Sequence, residues 1–107
     1  MNKIIKIAVD AMGGDGSPKK VIDGIIHHFK NNKNSFYQIF GDKDKILPHI
    51  KDDLSDTSFE IIHTVDIVKG TDSPLEGAKR GKNTSMWLAI QSVKEKKSDV
   101  VISAGNT

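Results

Sequence analysis

From Ile4 to Val9 apolar and β-branched residues run almost unbroken, with Lys6 as the one interruption. A strand buried on both faces reads this way. The run enters Asp10-Ala11-Met12 and then Gly13-Gly14-Asp15-Gly16, a loop whose glycines admit positive φ. Ser17-Pro18 predicts a helix start, with a capping hydroxyl ahead of a first-turn proline. Val21, Ile22, Ile25, Ile26 and Phe29 follow at helical spacing and predict a helix to about Asn31. Strand, glycine loop and helix in this order open a βαβ unit.

Tyr37 to Phe40 predicts a second strand, closed by Gly41-Asp42. Lys43 to Leu54 predicts a helix limited or kinked by Pro48. Phe59 to His63 reads as a third strand, followed by a polar loop from Asp66 to Ser73. Ser73 and Glu76 have capping-box spacing and open a short helix weakened by Gly77 and Gly81. Thr84-Ser85 precedes Met86, Ala89, Ile90 and Val93, a second amphipathic helix that fades into Lys94-Glu95-Lys96-Lys97. Asp99 to Ser103 is a buried strand leading into Ala104-Gly105-Asn106-Thr107.

Strands alternating with helical segments predict an α/β chain with a mostly parallel sheet covered on both sides. Because the chain stops within a strand-to-loop transition, residues 1–107 are expected to be the amino-terminal portion of a single larger α/β domain. There is no internal repeat.

The charge balance is +2 at pH 7, too small to argue for a nucleic-acid partner. Cysteine is absent, which excludes disulfides, a thiol nucleophile and thiolate zinc sites, and suits a reducing cytoplasm. No apolar run approaches the ~20 residues that span a bilayer. The first apolar run is too short for a signal peptide.

Ligands of open parallel sheets collect beyond the carboxyl ends of the strands. The polar segments expected there are Asp10 to Ser17, His63 to Ser73 and Ser103 to Thr107. Gly13, Gly14, Asp15 and Gly16 offer backbone N–H groups at a helix start, a means of holding an anion, although the Asp15 carboxylate competes with one. As a motif the loop is neither a dinucleotide fingerprint nor a P-loop. Lys79, Arg80 and Lys82 form a cationic group beside Asn83, Thr84 and Ser85, read either as a solvated helix face or as a clamp for phosphate or for an acidic partner. Ser103 and Asn106 are expected at a strand tip, where an amide or hydroxyl could donate to a developing oxyanion, although as isolated polar loop residues they carry little weight. His27, His28, His49 and His63 do not form a ligand cluster, and Trp87 is expected to pack rather than stack on a cofactor.

Three blocks together resemble the fatty acyl-phosphate synthase family, the phosphate acyltransferases of bacterial phospholipid synthesis. They are Ile7 through Asp15, the stretch from Asp72-Ser73-Pro74 through Arg80, Lys82, Ser85 and Met86 to Ala89, and Ser103-Ala104-Gly105-Asn106-Thr107. Gly81 and Asn83-Thr84 depart from the family pattern. The resemblance implies a three-layer α/β/α fold akin to isocitrate and isopropylmalate dehydrogenases and to phosphotransacetylase. It implies transfer of a fatty acyl group from acyl carrier protein to inorganic phosphate, with no metal, nucleotide or other cofactor. Suitable phosphate-binding parts are Gly13, Gly14, Asp15, Gly16, Arg80, Lys82, Ser85, Ser103 and Asn106, with Asp10 and Asn106 as catalytic candidates. A cytoplasmic homodimer is further implied, touching the inner face of the membrane through a region beyond Thr107. A fragment of this length is expected to be inactive alone.

Two other readings stand beside it. Gly13-Gly14-Asp15-Gly16-Ser17 resembles the Gly-Gly-Asp-Gly-Thr loop with which lipid and NAD kinases meet ATP. Alternatively, the 107-residue chain is a non-catalytic scaffold whose edge and apolar face lie uncovered.

Overall fold

A computed structural model describes residues 3–50, 53–64 and 84–103. The element order is β1 (Ile5–Asp10), α1 (Lys19–Asn31), β2 (Ser35–Gly41), α2 (Lys43–Ile50), β3 (Phe59–His63), α3 (Ser85–Lys94) and β4 (Val100–Ser103). The strands form one sheet in the order β3-β2-β1-β4, with every pairing parallel. The chain steps from β1 to β2 to β3 in one direction and then returns past β1 to lay down β4. Right-handed crossovers moving in opposite directions require helices on opposite faces.

The core clusters show that division. Ile7, Val9, Tyr37 and Ile39 meet Ile22, Ile25, Ile26 and Phe29 of α1 and Ile46 and Ile50 of α2 on one face. Ala8 and Phe40 meet Ala89 of α3 on the other, with Leu88 and Val93 beside them. Two helices, a parallel sheet and a third helix make three layers. The α/β/α expectation therefore holds for the described residues.

Local boundaries differ from the sequence reading in instructive ways. Ser17 does not cap α1. The helix begins at Lys19 with Pro18 in the cap position and no side-chain cap, while the Ser17 hydroxyl donates back to the Gly13 carbonyl. Gly14 and Gly16 have φ of 84° and 80°, so the loop turns through the left-handed region that glycine tolerates. Pro48 lies inside α2, which ends two residues later at Ile50 and not at Leu54. Leu54 is nevertheless buried in the α1/α2 core.

α3 buries Ala89 and packs Val93 against the sheet as its periodicity suggested, but Ile90 of the same stripe is turned away. Ser85, Ala89 and Ser92 are buried, whereas Ile90 is 48% exposed. Small side chains let the helix lie close to the sheet above Ala8. Thr84 caps it by accepting from the Trp87 amide at 3.1 Å. Its other end is a defined stop and not a fade. The Lys96 amide reaches the Val93 carbonyl at 3.0 Å and the Lys97 amide the Ser92 carbonyl at 2.8 Å, with Lys96 left-handed at φ 63°. This is a Schellman closure with lysine where glycine usually stands. The short helix expected after Ser73 lies outside the described residues.

Candidate functional site

Asp10 ends β1, the strand on which the sheet changes direction. Strands β1 and β4 are neighbours in space but are separated in sequence by the whole excursion through β2 and β3. Beyond the carboxyl ends of such a pair the flanking chains diverge and leave a crevice. In the β1–β4 register Asp10 lies opposite Ser103, and the period-2 alternation of β1 turns Asp10 to the α3 face together with Ala8. The amino terminus of α3 approaches that face.

These placements bring three chemistry-bearing residues together. Asp10 is 1% exposed. Its Oδ1 accepts from the Ser85 hydroxyl at 2.5 Å and from the Met12 amide at 3.1 Å, and its Oδ2 accepts from the Ser103 hydroxyl at 2.7 Å. A carboxylate removed from water is costly unless hydrogen bonded. Bonds to a charged acceptor contribute about 1.5–3 kcal/mol each. The Met12 bond is the two-residue turn typical of Asp, and it shapes the start of the glycine loop. Ser85 is buried at 3%, whereas Ser103 faces solvent. The cluster thus runs from a buried charge to an exposed hydroxyl.

The loop of Gly13, Gly14, Asp15 and Gly16 lies directly beyond β1, and Asp15 is exposed. A Cβ added at Gly16 would meet the flexible side chain of the exposed Lys20, so it is the positive φ that calls for glycine there. Below the loop, on the α1 face, a groove of about 410 Å³ extends from Asp10, Asp15 and Ser17 past Val21 and Ile102 to His28 and Tyr37. Arg80, Lys82 and Asn106 lie outside the described residues.

The sequence singled out Asp10, Ser85 and Ser103 one by one, and the structure joins them. It also reveals polar contacts the sequence reading missed. Gln38 Oε1 accepts from Ser92 and Ser98 hydroxyls, each at 2.5 Å, and its amide donates to Glu60 at 2.8 Å. The signal was a glutamine between Phe36 and Phe40 on a strand face that should otherwise be apolar. His28 Nδ1 and the hydroxyl of the buried Tyr37 share a hydrogen bond of 2.6 Å, and His63 Nδ1 accepts from the Lys43 amide at the start of α2. Those two histidines serve packing and capping. Among the described residues no group of His, Cys, Asp or Glu is arranged to hold a metal. Trp87, expected to pack, is 37% exposed and lines a groove with Phe40, Ile62 and Leu88.

A model of the family described as "Fatty acid synthesis protein" matches residues 5–107. The chain belongs to that family. Over all 107 residues it is 80% identical to a protein of Pelagibacter ubique named phosphate acyltransferase, and it spans 32% of that protein's length. Identity is 40% over 103 residues to the phosphate acyltransferase of a Geobacillus species and 44% over 103 residues to that of Listeria innocua, in each case 96% of this chain and 30% of the relative. The chain therefore spans about a third of the length of the curated relatives it matches. Among the described residues no helix is long and apolar enough to cross a membrane.

Proposed function

We propose that this chain supplies the phosphate end of an active site that transfers a fatty acyl group from acyl carrier protein to inorganic phosphate. In the reaction a phosphate oxygen adds to the thioester carbonyl carbon and the C–S bond breaks. The carrier's sulfur leaves as a thiol, taking the proton that the phosphate gives up. The observation that carries this reading is the Asp10–Ser85–Ser103 cluster at the β1/β4 crevice, in a chain that belongs to the fatty acid synthesis protein family.

A phosphate held beside Ser103 lies near the glycine loop, whose N–H groups suit an anion. Arg80 and Lys82 provide the positive charge that a phosphate next to a buried carboxylate requires. Asn106 is the donor for the tetrahedral oxyanion. Holding phosphate and thioester together removes much of the entropic barrier. The remaining chain of the full-length protein completes the site, so the 107-residue chain alone is inactive. In this reading the full-length protein is a cytoplasmic homodimer that touches the membrane through its later segments, and exposed lysines steer the acidic carrier.

The test uses the full-length protein, acyl carrier protein charged with a fatty acid, and phosphate, with acyl phosphate trapped by hydroxylamine. Phosphate-dependent hydroxamate without ATP is the expected result; a folded protein that yields none rejects the reading. Arg80→Ala should raise the phosphate requirement by roughly tenfold or more, the worth of a charge-assisted bond. An unchanged phosphate dependence would remove Arg80 from the site.

A further inference from the structure

Among the described residues α1 has a helix beside it on one flank only. On that flank Asp23, His27 and Lys30 share a polar cleft with His49 of α2. The opposite flank is different in kind. Val21, Gly24 and His28 line the groove of about 410 Å³ there, above Ile7, Val9 and Ile102 of the sheet. Their spacing of three and four residues is the row that a packed helix presents to a neighbour. Ile102 is 54% exposed although its register partner Val9 is buried. Parallel sheets normally carry helices on both faces, and over β4 the α1 layer has none among the described residues.

Gly24 is an independent observation. Glycine in a helix interior is less favourable than alanine, yet Gly24 lies inside the 13-residue α1. A left-handed φ does not call for it, since its backbone is helical. A close neighbour does not call for it either, because a Cβ added there would meet nothing within 4 Å. The missing side chain is accounted for by something that approaches the α1 backbone from the groove. Glycine at a helix contact lets two axes come to about 8 Å, the near end of the usual range.

The relatives carry far more chain than the part matched here, which spans 32% of one and 30% of another. A crossover that goes on outward past β4 places its helix on the face of α3. The groove lies on the face of α1, so its cover is a segment that returns. We infer that in the full-length protein a helix from the chain beyond residue 107 returns to the α1 layer and packs over β4, with its closest approach at Gly24. Asp10, Asp15 and Ser17 form one end of the groove. The returning helix therefore also borders the β1/β4 crevice and ties the later chain to the glycine loop. This inference stands independently of what the crevice binds.

The experiment compares Gly24→Ala and Gly24→Leu with wild type in the full-length protein. It reads the denaturant midpoint, sedimentation velocity, and acyl phosphate formation from carriers charged with shorter and longer fatty acids. Alanine should lower the midpoint in spite of its better helix propensity, and leucine should lower it further, as overpacking does. Oligomeric state and chain-length preference should match wild type. A midpoint that alanine raises or leaves unmoved would mean an open groove and overturn the inference. Dissociation into smaller species would assign the groove to a second copy and overturn it as well. So would an altered chain-length preference at unchanged stability, which would assign the groove to the acyl chain. Gly24→Ala adds a single methyl group, so it gives a reading even where the leucine variant does not fold. Midpoint and sedimentation need no acyl phosphate, so failure of the proposed reaction and failure of this inference are separate results.

Discussion

Tyr37 shows how a single side chain can tie the sheet to α1 and report on it. Its ring is buried against Phe29 and His28, and its hydroxyl is hydrogen bonded to His28 Nδ1. Burial pushes its pKa above the ordinary tyrosine value, partly offset by a hydrogen bond involving Ser35. A raised pKa means that the folded state keeps the phenolic proton longer than the unfolded state. The associated stability is complete below the unfolded value, about 10, and is lost as pH rises through the higher folded one. The chain has one tyrosine, so tyrosinate absorbance reads this group alone. It should titrate at higher pH in the folded chain than in denaturant, and Tyr37→Phe should remove that part of the alkaline loss. Coincident titration curves would contradict the assignment. At this scale the sequence could nominate Asp10, Ser85 and Ser103, but which hydroxyl gives its proton to which oxygen emerges only when strand register and helix position are known.

Among the elements, β1 and β3 were legible as short apolar runs and α1 as a stripe at helical spacing. The β3 bounds agree with the sequence reading, and the α1 stripe of Ile22, Ile25, Ile26 and Phe29 is buried as its spacing requires. α3 was legible as a helix, but its orientation only in part, since Ala89 and Val93 face the core and Ile90 does not. Hydrophobic periodicity assumes that large apolar residues mark the buried face. Here the crossover passes close above Ala8, so Ser85, Ala89 and Ser92 face inward and the serines are satisfied by Asp10 and Gln38. Charged residues hid the end of α3, since nothing about Lys96 announces a left-handed conformation. That residue makes a direct test. Lys96→Gly should raise stability by up to about 1 kcal/mol, because glycine occupies φ 63° without the steric cost that an L side chain meets. Denaturant midpoints with an unchanged slope would measure it. A destabilised variant would mean that the lysine side chain contributes more than its backbone costs.

Across the whole molecule the described residues form a layered four-stranded sheet with unequal cover. The α1/α2 face of β1 and β2 is packed, whereas Val100, Val101 and Ile102 of β4 are 45%, 38% and 54% exposed. Parallel sheets are normally covered on both faces, and an open edge with apolar flanks invites pairing. The 107-residue chain alone should therefore associate, and Ile102→Lys should reduce association in sedimentation velocity. A chain that stays monomeric at every concentration would contradict that expectation. Family and layer order could be read from the sequence because three separated blocks come in the right order. The site could be read only as parts, because the β1/β4 crevice joins residues 93 positions apart.

Ser103 and Asp10 form the proposed phosphate end of the site. The most direct measurement is phosphate saturation of the full-length protein, wild type against Ser103→Ala, with hydroxamate as the readout and acyl carrier protein varied separately. The phosphate KM should rise roughly tenfold, in line with the loss of one bond to a charged group, while the KM for the acyl carrier stays near its wild-type value. A phosphate KM that does not move in an active variant would place phosphate elsewhere and contradict the account.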